Sequence, residues 1–235
     1  MDTNQEKGFL GFSKVQVATA VALLFHIIGL VGIFINKNFF IQASSLNLLL
    51  MFLLIMYTHK DKNRSFFIFL SLAVAIGIVV EIIGTRTGLL FGNYEYGTAL
   101  GVSIFNVPLI IGINWFIVIY CCGGSMHIIL NKMVDKLTEI TENKKPIIKL
   151  LSVVIDGATL AVLFDWLMEP VAIKLGYWKW AGSGGIPFYN YVCWFGLSVI
   201  LLFIFHKLQF EKKNKFALHL LMIQVMFFLL LRTLL

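Results

Sequence analysis

Charge is scarce in this chain. Asp, Glu, Lys and Arg supply only 13% of its 235 residues, about half the share of a water-soluble domain, so the chain is built for lipid. The motifs of several membrane chemistries are missing as well. The five His stand singly with no His-x-x-x-His pair, which counts against a di-iron or zinc desaturase or hydroxylase and leaves no expected metal site. No glycine-rich phosphate loop occurs, and no paired-Asp motif that would hold a magnesium diphosphate, so prenyl transfer is disfavoured. The three Cys (Cys121, Cys122, Cys193) lie in or beside apolar stretches without a Cys-x-x-Cys and read as small buried apolar side chains. Cys121 and Cys122 have only His127 nearby, which does not make a nucleophile with its base. The first 14 residues carry no cleavage-like site, and no signal peptide is expected.

What the chain has instead is length in apolar runs. Stretches of roughly 20 apolar residues read as transmembrane helices. They fall near Val15–Ile35, Phe39–Tyr57, Phe66–Ile83, Ile104–Leu130, Ile147–Val171, Tyr189–Phe205 and Phe216–Leu234. The fold class is therefore all-α, a polytopic integral membrane protein of about seven spans, with residues 1–235 forming a single membrane domain. The fourth and fifth stretches are overlong, so part of each is expected to tilt or to leave the hydrocarbon. The net charge of +7 does not point to nucleic acid, because it is distributed by side. With seven spans, fourteen of the nineteen Lys and Arg fall at the amino terminus and in the second, fourth and sixth connections. This is the positive-inside bias. It predicts a cell-membrane (inner or cytoplasmic membrane) protein with its amino terminus in the cytoplasm and its carboxyl terminus outside. Runs such as Lys212-Lys213-Asn-Lys215 then serve as topology signals and as contacts to anionic membrane lipids.

One signature occurs twice. The first copy runs Glu81, Gly92-Asn93-Tyr94-Glu95-Tyr96, Val107-Pro108, Trp115-Phe116, and the second Asp165 and Glu169, Gly176-Tyr177-Trp178-Lys179-Trp180, Ile186-Pro187, Trp194-Phe195. In both copies Trp follows Pro by seven residues and Phe follows Trp. The two ring-rich connections, about 84–103 and 172–188, share the outer side. Their Trp and Tyr fit an ordinary interfacial belt, but the matched order of acid, glycine, rings, proline and Trp-Phe fits a parallel two-helix repeat with a site between its halves. On that reading Glu81 and Asp165 lie at matching heights of parallel helices packed side by side, and the two loops meet.

Carboxyls in a bilayer span are costly and mark function by default. Glu81, Asp156, Asp165 and Glu169 qualify. Asp165 and Glu169, at i and i+4, share one helix face about 6 Å apart, and Pro170 is expected to loosen the helix at Glu169. Asp156 faces the other way unless Gly157 bends the helix. Plainer readings exist for each: Glu169 as a solvated helix-end carboxylate, Glu81 paired with Arg86, Asp156 bonded to a Ser, Thr or Asn of a neighbouring helix. Two carboxyls sharing a poorly solvated face do not both ionise cheaply, so the pair keeps a proton between them, as a general acid requires. The rings of Tyr94, Tyr96, Trp115, Tyr177, Trp178, Trp180 and Trp194, whose faces stabilise a cation, complete the candidate site. Acid and rings together suit protonation of an alkene and capture of the carbocation.

These residues resemble the carotenoid hydratases of the CruF type. The resemblance rests on Glu81-Ile-Ile-Gly-Thr85-Arg86-Thr-Gly88, Phe91-Gly92-Asn93-Tyr94-Glu-Tyr96, Val107-Pro108, Asp165-x-x-x-Glu169-Pro170, Leu175-Gly176-Tyr177-Trp178-x-Trp180 and Gly184-Gly185-Ile186-Pro187. It covers roughly residues 66–206. It implies a multi-span carotenoid 1,2-hydratase that adds water to the terminal double bond of an acyclic (ψ) end group, lycopene- or γ-carotene-like, and needs no redox or metal cofactor. Asp165, Glu169 and Glu81 become the expected catalytic residues, and the seven rings with Asn93 the substrate contacts. Where the family has Asp before the proline, this chain has Glu169, the same carboxyl with a longer reach. The expected partners are a carotenoid in the bilayer, membrane lipids and other enzymes of the same pathway. A membrane lycopene cyclase would use the same protonation, and a lipid or terpenoid transporter would keep the helices without the chemistry.

Overall fold

The computed structural model describes residues 11–134, 145–182 and 185–235. Residues 1–10, most of the fourth connection, and Ser183 and Gly184 lie outside that description, so the signal-peptide expectation and the Gly184 end of one motif are untouched by it. Among the described residues seven helical spans are long and apolar enough to cross a membrane, which makes this a multi-pass, all-α protein. They are α1 (Lys14–Ile35), α2 (Lys37–Thr58), α3 (Arg64–Thr87), α4 (Ile110–Val134), a fifth span built from α5 (Lys145–Leu151) and α6 (Gly157–Leu175), α7 (Phe188–Lys207) and α8 (Lys215–Leu234).

Polar side chains set where spans begin. Ser13 and Gln16 form a reciprocal capping box at α1. Asn36, Asn63 and Asn214 each accept a backbone N–H at the start of α2, α3 and α8, satisfying donors that lipid cannot. The overlong fourth stretch resolves differently from the expectation. Residues 104–108 belong to a small hairpin, β2 (Ser103–Ile104) with β3 (Val107–Pro108), and the helix begins at Ile110. In the fifth span a π-helical turn at Ser152–Asp156 joins α5 to α6, taking up the extra length. Asp156 is exposed there and accepts a hydrogen bond from Ser152 of its own turn, not from a neighbouring helix.

Pro170 does not interrupt α6, contrary to the expected loosening. Proline removes the N–H that would bond the carbonyl four residues back, here that of Trp166. Arg232 of α8 replaces it, donating to the Trp166 carbonyl at 3.0 Å while its guanidinium lies 4.0 Å over the Trp166 ring.

α4 is the central strut, buried without interruption from Trp115 to Ser125, as an all-round apolar helix should be. It packs on α3, α6, α8, α2 and α7. Towards its carboxyl-terminal half, Phe66, Phe69, Phe116, Tyr120, Phe205 and Phe210 form a ring cluster. His59 stacks on Phe66 at 3.9 Å and bonds Tyr120 Oη at 2.7 Å. The opposite end carries the two repeated loops.

Candidate active site

The repeated loops are not irregular: each contributes a strand. β1 (Tyr94–Tyr96) and β4 (Trp178–Trp180) pair antiparallel, Tyr94 opposite Trp180, Glu95 opposite Lys179 and Tyr96 opposite Trp178. A strand alternates faces, so ring-charge-ring puts four rings on one side and a charge pair on the other. The charged side faces water, where Lys179 Nζ meets Glu95 Oε1 at 2.5 Å. On the ring side Tyr94 packs on Trp180 at 5.1 Å and Tyr96 on Trp178 at 5.9 Å.

Each strand delivers its polar tips to one acid. Glu81 is buried and receives the Tyr94 hydroxyl and the Tyr96 hydroxyl (2.7 Å) on Oε2, and Trp115 Nε1–H on Oε1 at 2.9 Å. Arg86, the alternative partner, lies instead over the Phe105 ring at 4.3 Å. Burial, and after it the neighbouring Glu81, hold the Tyr94 and Tyr96 phenols well above the usual tyrosine range, so both remain donors at neutral pH. Glu169 is likewise buried, not a solvated helix end, and receives Trp178 Nε1–H at 3.0 Å and Trp180 Nε1–H at 3.2 Å.

The geometry corrects the repeat. Glu81 and Glu169 each stand seven residues before a left-handed glycine, Gly88 or Gly176, that ends their helix. Glu169, not Asp165, is therefore the counterpart of Glu81. By the same register Asp165 corresponds to Gly77, where a side chain has no room: a Cβ there would lie 2.7 Å from Trp115 Cβ. Nor are the third and fifth spans packed side by side along their length. α4 packs against both, and the paired strands bring the acids together above it. Trp115 of α4 and Trp194 of α7, counterparts after the prolines, stack at 4.1 Å and 15° between the halves.

Asp165 is the odd acid. It is fully buried, its Oδ2 accepts from Asn190 Nδ2 at 2.8 Å, and its Oδ1 has no hydrogen-bond partner. Leaving a buried acceptor unpaired costs about 1–3 kcal/mol, so this oxygen is open to a proton, a water or a substrate. Asn190 was not singled out in the sequence, although it lies one turn from Trp194 on the same face of α7. Cys193 was read only as apolar filling, but its sulfur accepts the Phe91 N–H at 3.3 Å, steadying a turn in which Phe91 has a positive φ of 64°.

Glu81, Asp165 and Glu169 line one pocket of about 30 Å³ together with Tyr94, Tyr96, Trp115, Trp178, Trp180, Trp194 and Asn190. Two expected substrate contacts lie elsewhere. Asn93 is exposed in the turn before β1, its backbone carbonyl accepting Ala181 N–H at 2.8 Å. Tyr177 bonds Ser44 and lines a second, larger cavity of about 390 Å³. That cavity has mostly aliphatic and aromatic walls and shares Ile111, Asn114, Met168 and Trp178 with the acid pocket. Among the described residues no three His, Cys, Asp or Glu are grouped to hold a metal ion.

A helical membrane protein with an acid-and-aromatic pocket at one end of its bundle is the class these features define. The carotenoid biosynthesis protein family matches residues 41–235, and the chain belongs to that family. The match begins inside α2 and runs through α8, beyond the 66–206 stretch that carries the motifs. Bisanhydrobacterioruberin hydratase of Haloarcula japonica is 28% identical over 131 residues, covering 54% of this chain and 40% of that protein. The chain thus spans well under half the length of that relative. No solved structure matches.

Proposed function

We propose that this protein is a carotenoid hydratase acting on an acyclic end group. The observation that carries the reading is the unpartnered Asp165 oxygen in a ring-lined pocket beside an apolar cavity. Asp165, sharing a proton with Glu169, protonates C-2 of the terminal double bond. The tertiary cation at C-1 is stabilised by the Tyr and Trp faces. Water adds at C-1, and its surplus proton passes to a carboxylate of the cluster, restoring the acid for the next turnover. Glu81, which receives three hydrogen bonds and donates none, holds the rings in place and serves as acceptor. The family membership and the name of the Haloarcula japonica relative support the reaction class. No cofactor is invoked.

The acid pocket, at about 30 Å³, has room for the water that hydration needs. The 390 Å³ cavity falls within the roughly 300–1,000 Å³ of small-molecule sites and takes the apolar chain. The test is to give lycopene to membranes containing the protein in ¹⁸O-labelled water. Each modified end is expected to gain the mass of one water and to carry the label. An unlabelled isomer of unchanged mass means cyclisation, and no product from any acyclic carotenoid removes the enzyme reading.

The charge asymmetry supports a site at the outer face of the cell membrane. A reporter active only in the cytoplasm is expected to work when inserted after Lys145 and to fail after Ser183. The reverse pattern overturns the orientation.

A further inference from the structure

Hydration makes two separate demands: an acid must form the cation, and a held water must capture it before a proton is lost. The carboxyls meet the first demand and can take the proton that the water gives up. What holds the water towards C-1 is a different question. On the proposed reading the polyene occupies the larger cavity and the acids the small pocket, so the reacting end stands where the two spaces meet. Ile111 and Asn114 of α4, Met168 of α6 and Trp178 of β4 line both spaces. Ile111 and Met168 are apolar, and the Trp178 Nε1–H is already donated to Glu169 at 3.0 Å. Asn114 differs from all three. Among the described residues its amide has no hydrogen-bond partner, although it immediately precedes the buried run of α4 that starts at Trp115. An unpaired carboxamide in an apolar span is costly, and a water in the adjoining pocket of about 30 Å³ relieves that cost.

We propose that Asn114 is the specificity-determining residue that holds the attacking water and so commits the cation to the alcohol. The Asn114 carbonyl oxygen accepts one O–H of the water and a carboxylate accepts the other, which leaves a lone pair of the water to face C-1. A neutral amide suits this place because it does not take the proton itself, and the surplus proton passes to the carboxylate. The repeat gives the position a second meaning. The residue before the repeated Trp is Asn114 in the first half and Cys193 in the second. Cys193 is spent on the Phe91 N–H and lines neither space. The first half therefore supplies the water-holding amide, and the second half supplies the extra acid.

The inference rests on the hydratase reading, and its test reads the partition of products, not the rate. Membranes containing the full-length protein receive lycopene in deuterium oxide. Protonation by a solvent-exchanged acid places deuterium at C-2. The cation then either gains water, giving the alcohol, or loses a proton to a carboxylate, giving a deuterated polyene without added water, cyclised or not. Asn114→Leu, close to Asn in size, is expected to lower the ratio of alcohol to deuterated anhydrous polyene by about tenfold, the scale of one hydrogen bond. Asn114→Met reads the same ratio if Leu lowers the folded yield. Asp165→Asn is expected to lower both products together, because it removes the proton that forms the cation. An unchanged ratio in the folded Asn114 variant, or alcohol lost with no deuterated polyene in its place, overturns the role of Asn114 and leaves the reaction standing. A parent protein that makes no alcohol from lycopene removes the reaction and this inference with it.

Discussion

Asp165→Asn is expected to slow hydration by about 100- to 10,000-fold, the usual cost of removing a general acid. The substitution keeps the shape of the side chain and an oxygen to accept from Asn190 Nδ2, now 2.8 Å from Oδ2. What it removes is the proton that the unpartnered Oδ1 is placed to carry. Folded yield and unfolding temperature should therefore change little, and a collapse of either would point to a structural role instead. Glu169→Gln separates two roles for its carboxyl. A loss as large as that of Asp165→Asn makes the pair one acid, and a milder loss makes Glu169 the group that orients water. Asp156→Asn is the control. Asp156 is exposed on the π-helical turn and bonded to Ser152, so its replacement should change the rate by no more than about twofold, as for most surface changes. Rates of product formation across the three variants at matched protein level decide the matter, and equal losses in all three would dissolve the assignment of Asp165.

The spans were legible because lipid imposes a coarse rule: about 20 apolar residues per crossing. Six of the seven sequence boundaries agree closely with the helices, from α1 at Lys14–Ile35 to α8 at Lys215–Leu234. The exception, the start of α4, failed because Val102–Pro108 is apolar enough to read as helix. In the structure Phe105 and Asn106 take positive φ at the tip of the hairpin, which no hydropathy window detects. The strands β1 and β4 were missed for a different reason. Three residues are too few to build a hydrophobic period, yet Tyr-Glu-Tyr and Trp-Lys-Trp do alternate, and the charge pair Glu95–Lys179 is the visible half of that alternation. The rings were found as a set; their grouping onto two acids was not, because it depends on which face each strand turns down.

The repeat was visible in sequence but matched in the wrong register. Sequence order favours pairing Glu81 with Asp165, since both come first. Helix ends favour Glu169, since the chain turns at Gly88 and Gly176 and everything above is counted from there. The corrected register has chemical content. Symmetry supplies one acid per half, each held by the N–H or O–H tips of its own strand. The second half adds Asp165 where the first half has Gly77 against Trp115. The site is therefore symmetric in its scaffold and asymmetric in its acids, and the extra carboxyl is the one with a free oxygen. Asn190, its partner, has Ile111 as the equivalent residue four positions before the repeated Trp, so both the acid and its partner belong to the second half alone.

If the paired strands hold the acids in place, loosening them should harm protein and activity together. Gly97 follows β1 and donates its N–H to the Tyr177 carbonyl at 2.8 Å, and a Cβ on Gly97 would stand 2.4 Å from the Gly176 carbonyl oxygen. That oxygen is backbone, in the residue that caps α6, so it cannot swing aside as a side-chain end would. Gly97→Ala must therefore push β1 from β4 or shift the cap, and either motion pulls Tyr94 and Tyr96 from Glu81 or Trp178 and Trp180 from Glu169. Overpacking of this kind costs about 1–3 kcal/mol, equivalent to a fall of roughly 2–12 °C in the unfolding midpoint for a chain of this size. Activity should fall further than stability does, because general-acid geometry tolerates little displacement. Gly196→Ala on α7 is the matched comparison: no atom lies within 4 Å of its Cβ position and its φ is helical. Alanine there should be neutral or stabilising by about 0.4–1 kcal/mol. Thermal unfolding in detergent and hydration of lycopene, measured on both variants, check the contrast, and a Gly97→Ala protein that matches the parent in both would show that the strands do not set the site.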